Sequence, residues 1–503
     1  MSVEGGGLNN NFIEKYATKQ GATVFDKSIE GRVGAVFPDS EVPQAPRPPQ
    51  EFLRENVLLP QLSEPEVVRH YTHLSKQNFS IGEGMYPLGS CTMKYNPRRH
   101  EEVVALSGFA EAHPDQPAET IQGTLEVLFG LQKFIASITG MNAVTLAPMG
   151  GAEGEFTGVS IIRAFHKKNR QDKQRRIMLI PDSAHGTNPA TAAMAGYKVV
   201  QVHSRSDGNI DMDDFRSKMN ENVAGVMTTE PTTLGLFNSS IFEMAEITHK
   251  NGGLVYGDGA NMNAFLGKVR PRDLGIDVMH INTHKALTTP HGGGGPGAGP
   301  VAVIEQLAEF LPTPVVGRDP ATGLYRFETP KNTIGRVSGW AGNIGVLLRA
   351  YVYIRTMGEE GLRKVSENAV LNANYVAHEL SSDYSIQFGK GRRNMHEVVI
   401  NGAPIGHNLG LHPNIDVAKR LIDYGYHPPT MSFPLIAENA LMVEPTETEG
   451  KESLDSFIAA MRAIAQESRE TPEVLKTAPH FTPVGRLDEA TAARKPILRW
   501  KPS

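Results

Sequence analysis

The residues best suited to chemistry stand in the stretch Met279 to Pro300, MHINTHKALTTPHGGGGPGAGP. Ile276, Val278 and Ile281 form an apolar, β-prone run that leads into His284-Lys285, and a glycine-dense loop follows. Burial disfavours an ammonium, so a lysine at the end of a buried strand is biased towards the neutral amine, a nucleophile for aldehydes. The run Gly292 to Gly295 has no side chains, which lets its backbone approach a ligand closely. A snorkelling lysine before a flexible loop would account for the same residues, so the neighbouring segments decide between the two readings.

Parallel α/β sheets bind ligands outside the carboxyl ends of their strands, which gives weight to residues just after strand-like runs. Asp258 closes the apolar run LVYGD, where a carboxylate needs a partner because an unpaired buried charge is very unfavourable. Gly150-Gly151-Ala152 lies between a strand and a helix, a place where free N–H groups and the helix dipole favour a phosphate. The segment is not a P-loop, since no G-x4-G-K-[ST] occurs. His185 in DSAHGTNPA follows another strand and could stack on a planar ring or simply close a capping loop. Thr228 to Gly235, TTEPTTLG, supplies hydroxyls, among them Thr232, and a turn. A phosphate cradle, a ring-stacking His, an Asp for a pyridine nitrogen and a strand-end Lys, in this order, describe a fold-type-I enzyme dependent on pyridoxal 5'-phosphate (PLP).

The elements that must position these groups follow from periodicity. Ile121, Leu125, Leu128, Leu131 and Ile135 predict a helix up to Gly140. Strands are expected at 143–147, 176–180, 198–203, 224–228, 254–257, 277–282 and 300–304, with helices at 152–170, 211–219 and 239–250 between them. Strands alternating with helices predict an α/β fold, a large mostly parallel seven-stranded sheet covered on both faces. The short gaps around Lys285 predict one antiparallel strand. The run 344–380 reads as one long helix interrupted near Gly358-Gly361. Strands at 396–401 and 435–443 and helices at 415–424 and 451–465 predict a smaller C-terminal α+β domain. The domains are therefore expected at 1–118 (arm and active-site loop segment), 119–335 (large domain) and 336–480 (small domain), with 481–503 an extended tail. The run VPQAPRPP from Val42 to Pro49 must be extended.

The composition suits this picture. Among 503 residues, 40% are hydrophobic and 21% charged, with a net charge of −5, which argues against nucleic acid as the main partner. No run reaches the ~20 apolar residues of a membrane span. One cysteine, Cys91, excludes an intrachain disulfide and suits a reducing compartment. The opening MSVEGGGLNNNF lacks a secretory or Arg-rich leader, so a cytoplasmic protein is expected.

Four segments carry a resemblance: YPLGSCTMKYNPR (Tyr86 to Arg98), GDGANMNA (Gly257 to Ala264), HINTHK with PHGGGGPG (His280 to Lys285, Pro290 to Gly297) and YHPPTMSFPL (Tyr426 to Leu435). They resemble glycine dehydrogenase (decarboxylating), the P-protein of the glycine cleavage system, in its split form, and within it the cofactor-bearing subunit 2. The resemblance implies Lys285 as the Schiff-base lysine, Asp258 on the pyridine nitrogen and His185 on the ring face, with Lys285 and His185 catalytic. The cofactor set is then Lys285, Asp258, Ala260, His185, Gly150, Gly151, Ala152, Thr232 and His284, with no metal. Ser90, Asn96 and Arg98 are candidates for holding the substrate glycine. The implied partners are P-protein subunit 1, in an α2β2 heterotetramer, the lipoylated H-protein, and the T- and L-proteins of the same system. The sequence departs from the resemblance in two places: Ala286-Leu287 stand where Thr-Phe is expected, and Ser338 where an arginine is expected. Another fold-type-I decarboxylase or aldolase, or a non-catalytic scaffolding subunit, remains the alternative.

Overall fold

The computed structural model describes residues 22–43, 45–55, 57–292, 295–389, 391–406 and 413–499. These divide into two compact units, one formed by the N-terminal stretch to Ser80 together with the chain from His480, the other by Ile81–Pro479. The large and small domains expected on either side of residue 335 fall within this second unit.

Its centre is a seven-stranded sheet built from β1 (Ala143–Thr145), β2 (Ile177–Pro181), β3 (Lys198–Val202), β4 (Val223–Thr229), β5 (Leu254–Gly259), β6 (Val278–Ile281) and β7 (Val301–Val303), in the order β1-β7-β6-β5-β4-β2-β3. β7 runs antiparallel to both its neighbours and the remaining pairs are parallel. The parallel register sets Asp258 beside Thr229 of β4 and beside His280 of β6, so one carboxylate ends between two neighbouring strand ends. β4 and β5 are buried along their whole length, as expected of central strands covered on both faces. The helix Gln122–Thr139 contributes Leu125, Leu128, Leu131 and Ile135 to the core at helical spacing.

The helix Ile344–Leu380 joins this core to a second one. Val346, Leu347, Ala350 and Tyr353 pack in the large core, whereas Val376, Ala377 and Leu380 pack with Phe457, Met461 and Ile464 of the helix Lys451–Glu470. The expected interruption lies at Gly358, whose φ of 60° and ψ of −172° are closed to most side chains. A four-stranded antiparallel sheet lies with this second core. It consists of β10 (Ser385–Ile386), β11 (Val398–Asn401), β12 (Thr430–Met431) and β13 (Ala440–Val443), ordered β10-β11-β13-β12.

Three expectations need correction, and the connection 311–335 adds a hairpin that was not foreseen. Lys285 does not end a strand: β6 stops at Ile281, and Lys285 sits in a single helical turn, Thr283–Ala286, because the Asn282 carbonyl accepts from the N–H groups of Lys285 and Ala286. The strand expected at 435–443 begins only at Ala440, since Asn439 adopts a left-handed φ of 49° that extended backbone cannot pass through. The connection 311–335 contains a hairpin, β8 (Val315–Arg318) with β9 (Tyr325–Glu328). The tail is not wholly extended: Asp488 caps a short helix, Glu489–Arg494, by accepting from Thr491 N–H.

In the first unit the helix Glu64–Ser75 starts on a capping box of Ser63 and Glu66, and the proline-rich run is exposed at its described positions. Among the described residues no helix is long and apolar enough to cross a membrane.

Candidate active site

Lys285 is buried, and its Nζ donates to the Ser90 carbonyl at 2.7 Å. That contact exists because the loop carrying Ser90 is sewn to the four-stranded sheet. Gly89 N–H donates to the Met442 carbonyl, Thr92 donates from both its N–H and hydroxyl to Glu444, and Ser90 N–H donates to Glu397 at 2.7 Å. A Cβ on Gly89 would lie 2.6 Å from the Met442 carbonyl oxygen, so only glycine allows this approach. Ser90 itself has a left-handed φ of 60°, an unusual conformation for a residue with a side chain and one that gathers at functional sites.

At the end of β5, Asp258 Oδ2 accepts from Asn188 Nδ2 at 3.0 Å and Oδ1 from Ala260 N–H at 3.0 Å; His280 Nε2 lies 3.5 Å away. Burial works against its charge, but the two histidines His280 and His185 with these hydrogen bonds outweigh burial and hold the carboxyl below its ordinary range. Tyr256 backs the arrangement, 2.5 Å from His280 Nδ1. Glu155, His185 and Asp258 bring ligand atoms within 4.8 Å of one another. Burial, then the neighbouring Asp258 charge, pushes Glu155 up to about 7.

A concentration of buried polar atoms without a hydrogen-bond partner among the described residues marks the same region: Ser90 Oγ, Glu155 Oε1, Thr232 Oγ1, Asn263 Oδ1, Glu397 Oε1 and both ring nitrogens of His396, whose Nε2 lies 3.6 Å from Glu397 Oε1. Such atoms are rare in folded proteins unless a ligand or water meets them. Gly150 precedes the helix Gly151–Lys168, which has no side-chain cap, and a Cβ on Gly150 would enter open space. A Cβ on Gly151 would come 2.1 Å from Asn282 Oδ1, so this helix start packs directly against the turn that carries Lys285. A buried amine, an ionised acid at a strand end and an uncapped helix start fit the aldehyde, ring nitrogen and phosphate of the cofactor expected from the sequence.

The other expected residues are placed as follows. His284 packs edge-on against His291 at 4.7 Å, and burial, then the nearby His291 and Lys285, lower it to about 3. Ala152 is exposed on the first turn of its helix. Asn96 donates to the Thr288 carbonyl at 2.9 Å, bracing the segment after Lys285. Arg98 is exposed, at the N-cap of Arg99–Val104. Gly293 and Gly294 of the glycine run lie outside the described residues. Of the two departures, the Ala286 carbonyl accepts from the buried Lys94 Nζ at 3.0 Å, and Ser338 Oγ donates to the Ala147 carbonyl just beyond β1.

Sequence reasoning missed Glu397, Glu444 and His396. All three are fully buried, and burial with the Glu444 charge raises Glu397 well above the carboxylate range. A signal for Glu444 was present: it closes the apolar run ALMV as Asp258 closes LVYG.

The sheet order, the acid at the end of β5 and the lysine in the turn beyond β6 define the fold-type-I class of PLP-dependent enzymes. Within that class, the chain belongs to the P-protein family of the glycine cleavage system. The family described as "Glycine cleavage system P-protein" matches residues 29–326, and "Glycine dehydrogenase, C-terminal domain" matches residues 365–480. A protein of Listeria welshimeri named probable glycine dehydrogenase (decarboxylating) subunit 2 is 51% identical, over 95% of this chain and 98% of that protein. One of the same name from Caldanaerobacter subterraneus is 50% identical over the same shares. A crystal structure of glycine decarboxylase (P-protein) in inhibitor-bound form has the same fold, with a TM-score of 0.69 at 21% identity over 83% of this chain and 93% of that one. The Lactobacillus brevis glutamate decarboxylase shares the fold at a TM-score of 0.63 and 14% identity, over 83% of this chain and 96% of that one.

Proposed function

We propose that this chain is the PLP-bearing subunit of glycine decarboxylase, removing CO2 from glycine and passing the aminomethyl group to the lipoyl disulfide of the H-protein. The observation that carries the reading is the buried pair at the ends of neighbouring strands, Lys285 beyond β6 and the ionised Asp258 on β5, in a chain of this family. PLP, held by Lys285, supplies the electron sink for the pair left on the α-carbon when CO2 departs. In the transfer, the glycine C–C bond breaks and a C–S bond forms. The lipoyl S–S bond opens, and the second sulfur leaves as a thiol after taking a proton.

The chain's own residues do the rest. Asp258 keeps a negative charge where a ring nitrogen must stay protonated. Asn188, Ala260 and His280 hold that carboxylate in place. His185 covers a ring face, and the start of the helix Gly151–Lys168 takes the phosphate. The Ser90 carbonyl holds the Lys285 amine, while Glu397, kept neutral by burial, keeps a proton at a carboxyl oxygen beside Ser90. Thr232 and Ser90 offer hydroxyls that no group among the described residues engages.

The chain works with subunit 1, as an α2β2 heterotetramer, and with the T- and L-proteins downstream. Exchange of labelled bicarbonate into glycine, with lipoylated H-protein and subunit 1 supplied, tests the reading. Exchange confined to glycine is expected; turnover of glutamate or of a β-hydroxy amino acid instead would replace the reading with one of its alternatives.

A further inference from the structure

The histidine of the site is connected to a buried acid through a single hydroxyl. His185 Nδ1 lies 3.0 Å from Thr187 Oγ1, and Thr187 Oγ1 lies 2.7 Å from Glu155 Oε2. Glu155 sits on the helix Gly151–Lys168; His185 and Thr187 precede the helix Asn188–Met194. A threonine hydroxyl has one proton to give, so the direction of this chain of hydrogen bonds is set at its ends. An ionised Glu155 only accepts: Thr187 then donates to it and takes the Nδ1–H of His185, leaving a lone pair on Nε2. A protonated Glu155 reverses the order. It donates to Thr187, which donates to Nδ1, and the ring proton sits on Nε2. The Thr187 N–H, 3.5 Å from Nδ1, favours the second arrangement.

We infer that Glu155 is a positioning residue: through Thr187 it decides which ring nitrogen of His185 holds the proton, and so whether Nε2 offers the bound ligand a donor or an acceptor.

Two conditions make such a switch workable. The imidazole must stay neutral, and burial, opposed by Asp258 and reinforced by Lys285, lowers His185 below its ordinary value. The acid must titrate near neutrality, as Glu155 does at about 7. The groups facing Glu155 are Asp258 and Tyr256 from β5, His185 from the loop after β2, and Thr187, whose hydroxyl lies 2.7 Å from it, with Asn188 and Thr191 beside it; His280 on β6 faces Asp258. A cation paired with Asp258 weakens the repulsion between the two carboxyls and moves the switch to lower pH. The relay rests on the chain's hydrogen bonds, while its use in catalysis rests on the function proposed above.

Solid-state 15N NMR of the full-length, histidine-labelled chain, with His185 assigned by difference against His185→Gln, reads the tautomer directly. The Nε2–H form is expected to dominate at about pH 5.5 and the Nδ1–H form at about pH 8.5. The ratio should change at least about tenfold, the scale of one charge-assisted hydrogen bond over a neutral one. Glu155→Gln should hold the ratio constant across this range, Thr187→Val should do the same, and Thr187→Ser should restore the response. A wild-type ratio that does not move, or one that moves equally in Glu155→Gln, overturns the inference. If Glu155→Gln does not fold, Thr187→Val carries the same test with the acid intact. No turnover is measured, so loss of the relay and loss of glycine decarboxylation are separate results.

Discussion

The unit Ile81–Pro479 buries polar atoms that have no hydrogen-bond partner among the described residues, whereas the other unit exposes apolar side chains. In the first, Glu397 and His396 are fully buried, and unpartnered nitrogen and oxygen atoms gather around Lys285. In the second, Val36, Phe37, Ile497 and Leu498 are 86% to 93% exposed, with the lower and upper bounds set by Leu498 and Ile497. Among the described residues of that unit, Leu62 is the one apolar side chain that is buried. A buried polar atom without a partner costs stability that a ligand recovers. Exposed apolar area does the same for a protein surface. The two units thus present opposite chemistry, one suited to a small polar molecule and the other to a macromolecular neighbour.

The largest test strikes the polar side. Lys285→Ala should lower bicarbonate exchange by at least about 10^4-fold, the scale on which loss of a covalent nucleophile acts, and remove the borohydride-reducible cofactor adduct. Persistence of that adduct would assign the lysine role elsewhere. Asp258→Asn should retain the adduct while exchange falls about 10^2- to 10^3-fold, as for removal of one preorganised electrostatic group. Equal loss of cofactor and activity would instead make Asp258 a residue of binding alone. On the apolar side, deleting residues 1–50 should weaken association with subunit 1 by about 10- to 100-fold, measured by titration calorimetry, and leave the cofactor absorbance unchanged. Full exchange activity from the isolated chain, at concentrations where sizing shows a monomer, would break the comparison, because no neighbour would then be needed.

A last effect, away from the site, concerns stability. Glu230 is buried, with Thr228 and Asn238 donating to Oε1, and burial raises it to about 8. The folded chain therefore holds a proton that the unfolded chain releases above the ordinary glutamate range. Stability should fall as pH rises from about 4.5 to about 8, by at most roughly 1.4 kcal/mol per pH unit, and level off above. Glu230→Gln should flatten that component in urea unfolding curves recorded across this window.

The strands of the large sheet were legible because each is an apolar run bounded by turn residues, and their order placed Asp258 and Lys285 at carboxyl ends. The helix Asn188–Met194 was not: Pro189 at its start and a run of alanines leave little amphipathic pattern, yet it supplies Asn188 to Asp258. Glu397 and Glu444 were hidden for another reason. Each flanks a strand of the four-stranded sheet, and only the fold brings them to residues of the N-terminal loop, 307 positions away for Glu397 and Ser90 and 352 for Glu444 and Thr92. Arg98 lies exposed while Thr92 and Lys94 of the same loop are buried, a difference that a loop rich in polar side chains does not announce.

Those separations bear on how the molecule is born. A nascent chain emerging from the ribosome can assemble the seven-stranded sheet once Val303 is free, but the loop from Leu88 to Lys94 has no docking edge until β13 and Glu444 have been synthesised. The reactive amine is made long before its pocket can close. Translation therefore passes through an interval in which Lys285 is present and the site is open, and a product truncated before Ala440 would keep the sheet and the lysine without ever acquiring the enclosure that directs them.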